Sequence, residues 1–154
     1  MTSVVPSPPP RARVLYVAEP PAVWMERPPV VADCSVVAAL VFAEPACDDA
    51  AALLSHKAVH APALLPFEVA NVARSKRRAG MQAAPMEDAL RDFAEQRIAL
   101  HPVPPDAMAQ LALRYELSAY DAAYLWLAAE LQAPLATFDR RLADAARKHL
   151  GSGN

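Results

Sequence analysis

Four acidic residues stand where a strand is predicted to end or a helix to begin, and they are the residues of this sequence best placed to do chemistry. They are Asp33, Glu68, Asp121 and Asp139. Because parallel strands bring their carboxyl ends to one edge of a sheet, we expect the four carboxylates to converge on one cleft. Like charges so close raise one another's pKa, and a hard divalent cation bound by their oxygens relieves the repulsion. The pattern therefore indicates metal-assisted chemistry.

Each of these acids also has a purely structural interpretation. Asp33 and Asp139 precede predicted helices, where an aspartate commonly caps the helix N-terminus. Ser118 and Asp121 have the S-x-x-D spacing of a capping box, and Glu68 begins a polar stripe that a solvent-facing helix surface would explain. For Asp121 the spacing alone leaves cap and ligand open, and one side chain can serve both purposes. The case for a site comes from the four acids taken together.

Alternating short strands and longer helices are predicted to position these acids. The strands are expected at 30–32, 59–64, 98–103 and 135–138, and the helices at 36–43, 47–55, 65–79, 85–96, 106–115, 118–131 and 140–150. This alternation favours an α/β fold with a parallel sheet covered on both faces. Residues 119–129 are apolar nearly all round, which predicts a central, buried helix with Tyr124 and Trp126 in the core.

The first 29 residues differ in composition from the rest of the chain. They contain three clusters of consecutive prolines, which favour extended polyproline conformations and prevent long helices. We therefore predict an extension over 1–29 and one domain over 30–150. Apolar stretches at 13–17 and 22–25 are expected to pack against that domain in cis.

Composition argues against several classes of protein. The 154 residues have a net charge of -2 and only 3 glycines, so there is neither a basic surplus nor a phosphate-cradling loop. Cys34 and Cys47 suit neither a disulfide framework nor a zinc site, so we expect a reducing, cytoplasmic location. No apolar run reaches the roughly 20 residues of a membrane helix, so no membrane partner is expected. The histidines lack ligand spacing and are predicted to be surface or packing residues: His56, His60, His101 and His149.

Four short motifs, in this order, resemble those of the PIN domain, and specifically the toxin ribonucleases called VapC. They are Val-Ala-Asp-Cys-Ser at 31–35, Pro-Phe-Glu-Val-Ala-Asn at 66–71, Leu-Ser-Ala-Tyr-Asp-Ala-Ala-Tyr at 117–124 and Leu-Ala-Thr-Phe-Asp at 135–139. The resemblance covers roughly 30–150. It implies a three-layer α/β/α fold with a mainly parallel sheet, an endoribonuclease dependent on Mg²⁺ or Mn²⁺, a homodimer and a cognate antitoxin. The family usually lacks a proline-rich extension.

The resemblance also assigns roles by position. It puts the family's acidic quartet on the four acids named above, its helix asparagine on Asn71 and its first hydroxyl on Ser35. The hydroxyl before the last acid is approximated by Thr137. We hypothesise that Asp33 and Asp121 bind the main ion and that the other two acids complete the site directly or through water. Ser35 and Thr137 would then orient ligands or water.

A dense basic cluster follows Glu68 on its predicted helix and consists of Arg74, Lys76, Arg77 and Arg78. Such a cluster is ordinarily a solvated helix end stabilised by the helix dipole, and in a ribonuclease it could also hold RNA phosphates. Two functions remain as alternatives to a metal-dependent endoribonuclease. One is a non-catalytic PIN-like module that binds RNA or protein, although a binding module has no need of four converging acids. The other is a DNA-directed nuclease, for which the sequence offers no additional DNA-gripping element.

Overall fold

The structure is a computed structural model that describes residues 27–151. The predicted cis packing of 13–17 and 22–25, and nearly all of the predicted extension, lies outside these residues. Four strands and seven helices alternate within them. The strands are β1 (Pro29–Ala32), β2 (Ala58–Pro62), β3 (Ile98–His101) and β4 (Leu135–Ala136). The helices are α1 (Cys34–Val41), α2 (Cys47–Leu54), α3 (Leu65–Arg78), α4 (Ala83–Glu95), α5 (Pro105–Tyr115), α6 (Ala119–Glu130) and α7 (Arg140–Leu150).

The four strands form one parallel sheet in the order β3-β2-β1-β4, which confirms the predicted sheet type. The chain runs outward from β1 through β2 to β3 and then returns to place β4 on the other side of β1. The order therefore reverses between β1 and β4. In open α/β sheets, ligands bind outside the carboxyl ends of the strands at this point.

Helices cover both faces of the sheet, as a three-layer α/β/α fold requires. Val30 packs into a cluster with Val36, Ala39 and Ala50 of α1 and α2. Val31 belongs to the larger core cluster, which includes buried residues of α6 and α7. Because successive strand residues point to opposite faces, these two valines show one layer of helices on each side of the sheet.

Helix α6 is the central helix that the apolar sequence predicted. It lies against β1, β2 and β4, and six of its twelve residues are buried. Tyr124 is buried with them, whereas Trp126 is partly buried and packs against the core. Among the residues that the structure describes, no helix is long and apolar enough to cross a membrane.

Some predicted boundaries were wrong by a few residues, for local reasons. Strand β3 ends at His101 because Pro102 has no backbone N–H to continue the ladder. Strand β4 contains only two residues because the next backbone N–H groups bond to side chains: Phe138 to Ser35 Oγ at 2.9 Å and Asp139 to Thr137 Oγ1 at 2.9 Å. Helix α4 begins at Ala83, two residues before the predicted start at 85. Pro85 is tolerated in the first turn because the backbone N–H groups there have no intrahelical acceptor.

Candidate functional site

Asp33 lies at the carboxyl end of β1, beside the point where the strand order reverses. Its backbone N–H bonds to the carbonyl of Ala136 at the end of β4, at 3.0 Å. Its carboxylate caps α1 by accepting the Val36 N–H at 3.2 Å, as the capping interpretation predicted. With 5% of its surface exposed, it is the one charged side chain buried within residues 27–151. A cap alone does not need burial, since most helix caps lie at the surface.

Two hydroxyls from distant parts of the sequence hold the Asp33 carboxylate. Ser35 donates to Oδ1 at 2.5 Å, and Thr137 donates to Oδ2 at 2.6 Å. Each hydroxyl also accepts a backbone N–H from the turn after β4, which fixes the direction of its own proton. The carboxylate is therefore locked in one orientation, and the two hydroxyls that the resemblance singled out lie on either side of it.

The pKa of Asp33 is raised above its ordinary value, chiefly because burial disfavours the charged form. The hydrogen bonds from Ser35, Thr137 and the Val36 backbone favour the charged form and limit that rise. The protein thus keeps a carboxylate in a poorly solvated place and surrounds it with donors. A bound cation would compensate for such burial directly.

Glu68 lies in the first turn of α3, which follows β2, and it bonds to a residue that the sequence assigned only to the core. The Tyr124 hydroxyl of α6 donates to Glu68 Oε2 at 2.5 Å. One signal for this contact was available: a buried tyrosine hydroxyl needs a partner, and Tyr124 lies one helical turn beyond Asp121. Tyr124 is therefore a positioning residue that the sequence analysis missed.

The negative charges of Asp121 and Asp33 reach the Glu68 carboxylate. Burial raises the pKa of Glu68, the Tyr124 hydrogen bond opposes the rise, and the charges of Asp121 and Asp33 add to it. Asp139 is absent from the charges that shift the pKa of Glu68 or Asp33. The charges of Asp33 and Asp121 therefore act on Glu68, and Asp139 is joined to this group through Thr137, whose hydroxyl accepts the Asp139 N–H and donates to Asp33.

Asp121 and Asp139 both serve helix N-termini, as their capping interpretations predicted. Ser118 caps α6 by accepting the Asp121 N–H at 3.0 Å, and its hydroxyl donates to Asp121 Oδ2 at 2.7 Å. Asp139 caps α7 by accepting the Leu142 N–H on Oδ1 at 2.8 Å. Asp121 thus shows that one side chain can lie at a cap and beside the other acids as well.

The donor set fits a hard divalent cation that keeps some of its water. The candidate ligands are carboxylate oxygens, the ligands that Mg²⁺ prefers, and none of the four acids forms a salt bridge to a described basic residue. Within residues 27–151, no group of three Asp, Glu, His or Cys side chains is arranged to hold a metal by itself. Mg²⁺ is commonly bound by only one or two carboxylates together with water and substrate phosphate, so this arrangement is compatible with it.

The predicted basic cluster is divided between different environments. Lys76 pairs with Glu44 at 2.6 Å, and Arg77 donates to the Met81 carbonyl at 2.8 Å. Arg74 and Arg78 are exposed, and they form no hydrogen bond or ion pair with any residue in the described part of the chain. These two arginines therefore remain the members available to an external phosphate.

Two of the histidines that the sequence left apart meet in the sheet. Nδ1 of His60 on β2 lies 2.9 Å from Nε2 of His101 on the edge strand β3. Burial, followed by the charge of His101, lowers the pKa of His60. The sequence analysis did not pair these two histidines, because strand order, which sequence spacing does not reveal, makes them neighbours.

Cys34 follows Asp33 and is half-buried, but it is not equipped to be a nucleophile. Burial and the negative charges of Glu68, Asp33 and Glu44 raise the pKa of its thiol to about 12. Because the thiolate is the reactive form, a thiol with so high a pKa is inert near neutral pH. This agrees with the prediction that Cys34 is a small packing residue.

A cleft of about 330 Å³ opens beside the acids and is lined by Cys34, Leu64, Phe67, Glu68, Asn71, Val72 and Tyr120. Three larger clefts, of about 560, 630 and 510 Å³, are lined mainly by residues of α5, α6 and α7 and contain none of the four acids. We place the site at the smaller cleft, because burial, convergent charge and directed hydroxyls identify chemistry better than volume does.

The raised pKa of Glu68 gives a prediction for the metal-free protein. A raised folded-state pKa means that stability is greatest below the ordinary carboxyl pKa, near 4.5, and is lost as pH rises through the folded-state value. In chelator, Glu68→Gln should therefore melt at a higher temperature than the wild type at pH 8. That advantage should shrink as pH falls towards 4.5.

Thermal melts across this pH range measure the effect. Glu95→Gln, at an exposed position of α4, is the matched control for removing one negative charge elsewhere. An advantage of Glu68→Gln that is equal at all pH values, or equal to that of the control, would contradict the prediction.

Comparison with known proteins was made against family models, curated proteins and solved structures. A family model described as "PIN domain" matches residues 30–148. A solved structure described as "Crystal structure of PAE2754 from Pyrobaculum aerophilum" is similar at 22% sequence identity, with a TM-score of 0.62. The similarity covers 82% of this chain and 89% of that one, and at this identity it supports the fold alone. No curated protein matches the sequence.

Proposed function

The chain belongs to the PIN domain family, whose members are generally nucleases, and from this premise we propose that it is a divalent-metal-dependent endoribonuclease that hydrolyses RNA phosphodiester bonds. One observation carries the proposal. Asp33, buried at the reversal of the strand order, is held by Ser35 and Thr137 and lies within electrostatic reach of Glu68. Such a preorganised acidic group suits phosphoryl chemistry better than a purely structural role.

The proposed assignment of ligands follows the resemblance of the four motifs to those of the PIN domain. Asp33 and Asp121 would hold the main Mg²⁺ or Mn²⁺, and Glu68 and Asp139 would complete the site directly or through water. When bound, the ion lowers the pKa of a water and stabilises charge on the phosphate oxygens.

The chain's other residues prepare this site. Ser35 and Thr137 fix the Asp33 carboxylate, and Tyr124 fixes Glu68, so that little reorganisation is needed when substrate arrives. Asn71 lines the cleft beside Glu68, and the exposed Arg74 and Arg78 extend the same helix towards the RNA backbone.

We further propose that the protein is the toxin of a type II toxin–antitoxin pair, acting as a homodimer in the cytoplasm and neutralised by a cognate antitoxin. The resemblance of the four motifs to VapC toxins supports this proposal, and the two free cysteines, Cys34 and Cys47, are compatible with a reducing compartment. Growth arrest on induced expression, relieved by co-expressed antitoxin, tests the toxin role. Sedimentation velocity tests the dimer.

The enzyme is tested by removing the metal. We expect purified, antitoxin-free protein to cut total cellular RNA into discrete fragments with Mg²⁺ or Mn²⁺. Chelator should abolish the cleavage and added metal should restore it, because the acids cannot activate water without a cation. Metal at 100 times its Kd should also stabilise the fold by about 2.7 kcal/mol in a thermal melt. Cleavage that persists in chelator would contradict the proposal.

The alternative is a PIN-like module that binds RNA or protein without cutting it. The observation that favours it is that no three acids within residues 27–151 form a ready metal cage. The same experiment separates the two functions. Folded protein that neither cuts RNA nor is stabilised by metal is the module, whereas metal-dependent fragments identify the enzyme.

A further inference from the structure

Three exposed aromatic side chains each precede one of the four acids in the sequence. Phe67, before Glu68, is 74% exposed; Tyr120, before Asp121, is 62% exposed; and Phe138, before Asp139, is 40% exposed. Large aromatic side chains gain free energy when they are buried, so exposed ones beside a site indicate a surface that a ligand covers. Nothing in the acidic chemistry described above uses these rings.

Two of the rings share one cleft with Glu68. Phe67 of α3 and Tyr120 of α6 both line the 330 Å³ cleft, together with the Glu68 side chain and the Asn71 carboxamide. The cleft thus combines two aromatic surfaces, one amide that can donate and accept hydrogen bonds, and direct continuity with the carboxylates. Its volume is at the lower end of the range for small-ligand sites, so it suits one flat ring system rather than a folded polypeptide.

We propose that this cleft is a slot for an unpaired nucleobase, in which the base stacks on Phe67 and Tyr120 while the adjoining phosphate lies at the acids. The inference rests on the proposed ribonuclease function and names Phe67 and Tyr120 as the side chains that hold the base. A base in a duplex is stacked between its neighbours and cannot offer its face, whereas an unpaired base can stack on an aromatic side chain. The Asn71 amide is placed to bond to the edge of that base.

The exposed face of α3 continues from the slot as a track for the RNA backbone. Phe67, Asn71, Arg74 and Arg78 follow one another at steps of four, three and four, which places them along one side of the helix. All four are exposed, and Lys76, which pairs with Glu44, is not part of this row. An aromatic surface joined to a cationic row is the arrangement with which proteins bind single strands.

The same row favours RNA over a partner protein as the occupant. A protein that docked on the rings through apolar contact would leave Arg74 and Arg78 without a role, and these side chains have no partner among the described residues. RNA uses both parts, because each nucleotide supplies a flat base and a negatively charged phosphate.

Binding measured without catalysis tests the slot. Wild-type protein in chelator is titrated into a labelled single-stranded 10-mer RNA that contains 2-aminopurine, and into a duplex of the same sequence. We expect Phe67→Ala and Tyr120→Ala each to weaken single-strand binding by about 5- to 100-fold and to reduce quenching of 2-aminopurine. Phe67→Trp and Tyr120→Phe should retain binding, because they keep a ring. Duplex affinity should be the same in all these variants.

Leu113→Ala is the matched control, because Leu113 is 84% exposed on α5 and does not line the cleft. Equal single-strand affinity in Phe67→Ala and wild type would overturn the slot. The slot would also be overturned if Phe67→Ala lost self-association in sedimentation while its RNA binding was unchanged. That result would show that the rings form a protein interface. If RNA binding depends on the two rings but no metal-dependent cleavage occurs, the slot stands and the proposed nuclease is rejected. If metal-dependent cleavage occurs but RNA binding does not depend on the rings, the nuclease stands and the slot is rejected.

Discussion

Asp33→Asn should reduce metal-dependent RNA cleavage by at least about 100-fold, beyond the 10- to 100-fold typical of residues that only orient a ligand. Asparagine has nearly the same shape and can still accept from Ser35 and the Val36 N–H, and its amide donates to Thr137 once that hydroxyl turns, but it carries no charge to hold a cation. The variant should melt at the same or a higher temperature than the wild type in chelator. The reason is that burial raises the pKa of Asp33 and makes its charged form costly at neutral pH.

Cleavage assays and thermal melts should be run together on this variant. Asp144→Asn, at an exposed position of α7 that pairs with Arg147, is the matched control and should cleave like the wild type. Asp33→Asn should also fail to arrest growth when it is expressed. Full cleavage by a folded Asp33→Asn protein would remove Asp33 from the site and, with it, the central element of the proposed function.

Asp121→Asn should also lose at least about 100-fold in cleavage, whereas Asp139→Asn should lose about 10-fold or less, the lower limit for groups that act through other ligands. The motif resemblance treats these two acids alike, but the structure does not. The charge of Asp121 acts on Glu68, while the Asp139 carboxylate caps α7 and shifts the pKa of neither Glu68 nor Asp33.

Each of these two variants is a control for the other. Asparagine caps α7 as well as aspartate does, and at position 121 it can still accept from the Ser118 hydroxyl, so both variants should keep the melting temperature of the wild type within a few degrees. The comparison therefore isolates the charge at each position. Equal losses of cleavage would show that Asp139 contributes as much to the site as Asp121. A larger loss in Asp139→Asn would contradict the prediction that Asp121 contributes more.

Local rules in the sequence accounted for nearly all of the elements. Short apolar runs marked the strands and periodic apolar residues marked the helices, but the end of β3 was missed, because the predicted strand ran through Pro102 to 103 and the structure ends it at His101. Capping followed the same logic at Asp33, Ser118 and Asp139. These features depend on residues within about one helical turn, so the local sequence contains the interactions that decide them.

The sequence also placed the four acids where strands end or helices begin, and parallel strands bring their carboxyl ends to one edge of the sheet. What it could not supply was strand order, because that order is set by which arrangement buries both faces of the sheet. Placing β4 beside β1 brings the Thr137 hydroxyl to Asp33 across 104 positions of sequence, and placing β3 beside β2 brings His101 to His60. No short-range pattern contains either contact.

The sequence by itself therefore determined the fold class, the family motifs and the candidate acids, because secondary structure and capping are governed by neighbouring residues. Only the tertiary structure decided how those acids are used. It pairs Tyr124 with Glu68 and Lys76 with Glu44, joins Asp139 to Asp33 through Thr137, and forms the cleft that Phe67 and Tyr120 line. The physical reason is that these pairings depend on how helices pack on the sheet, a free energy that is shared by the whole core.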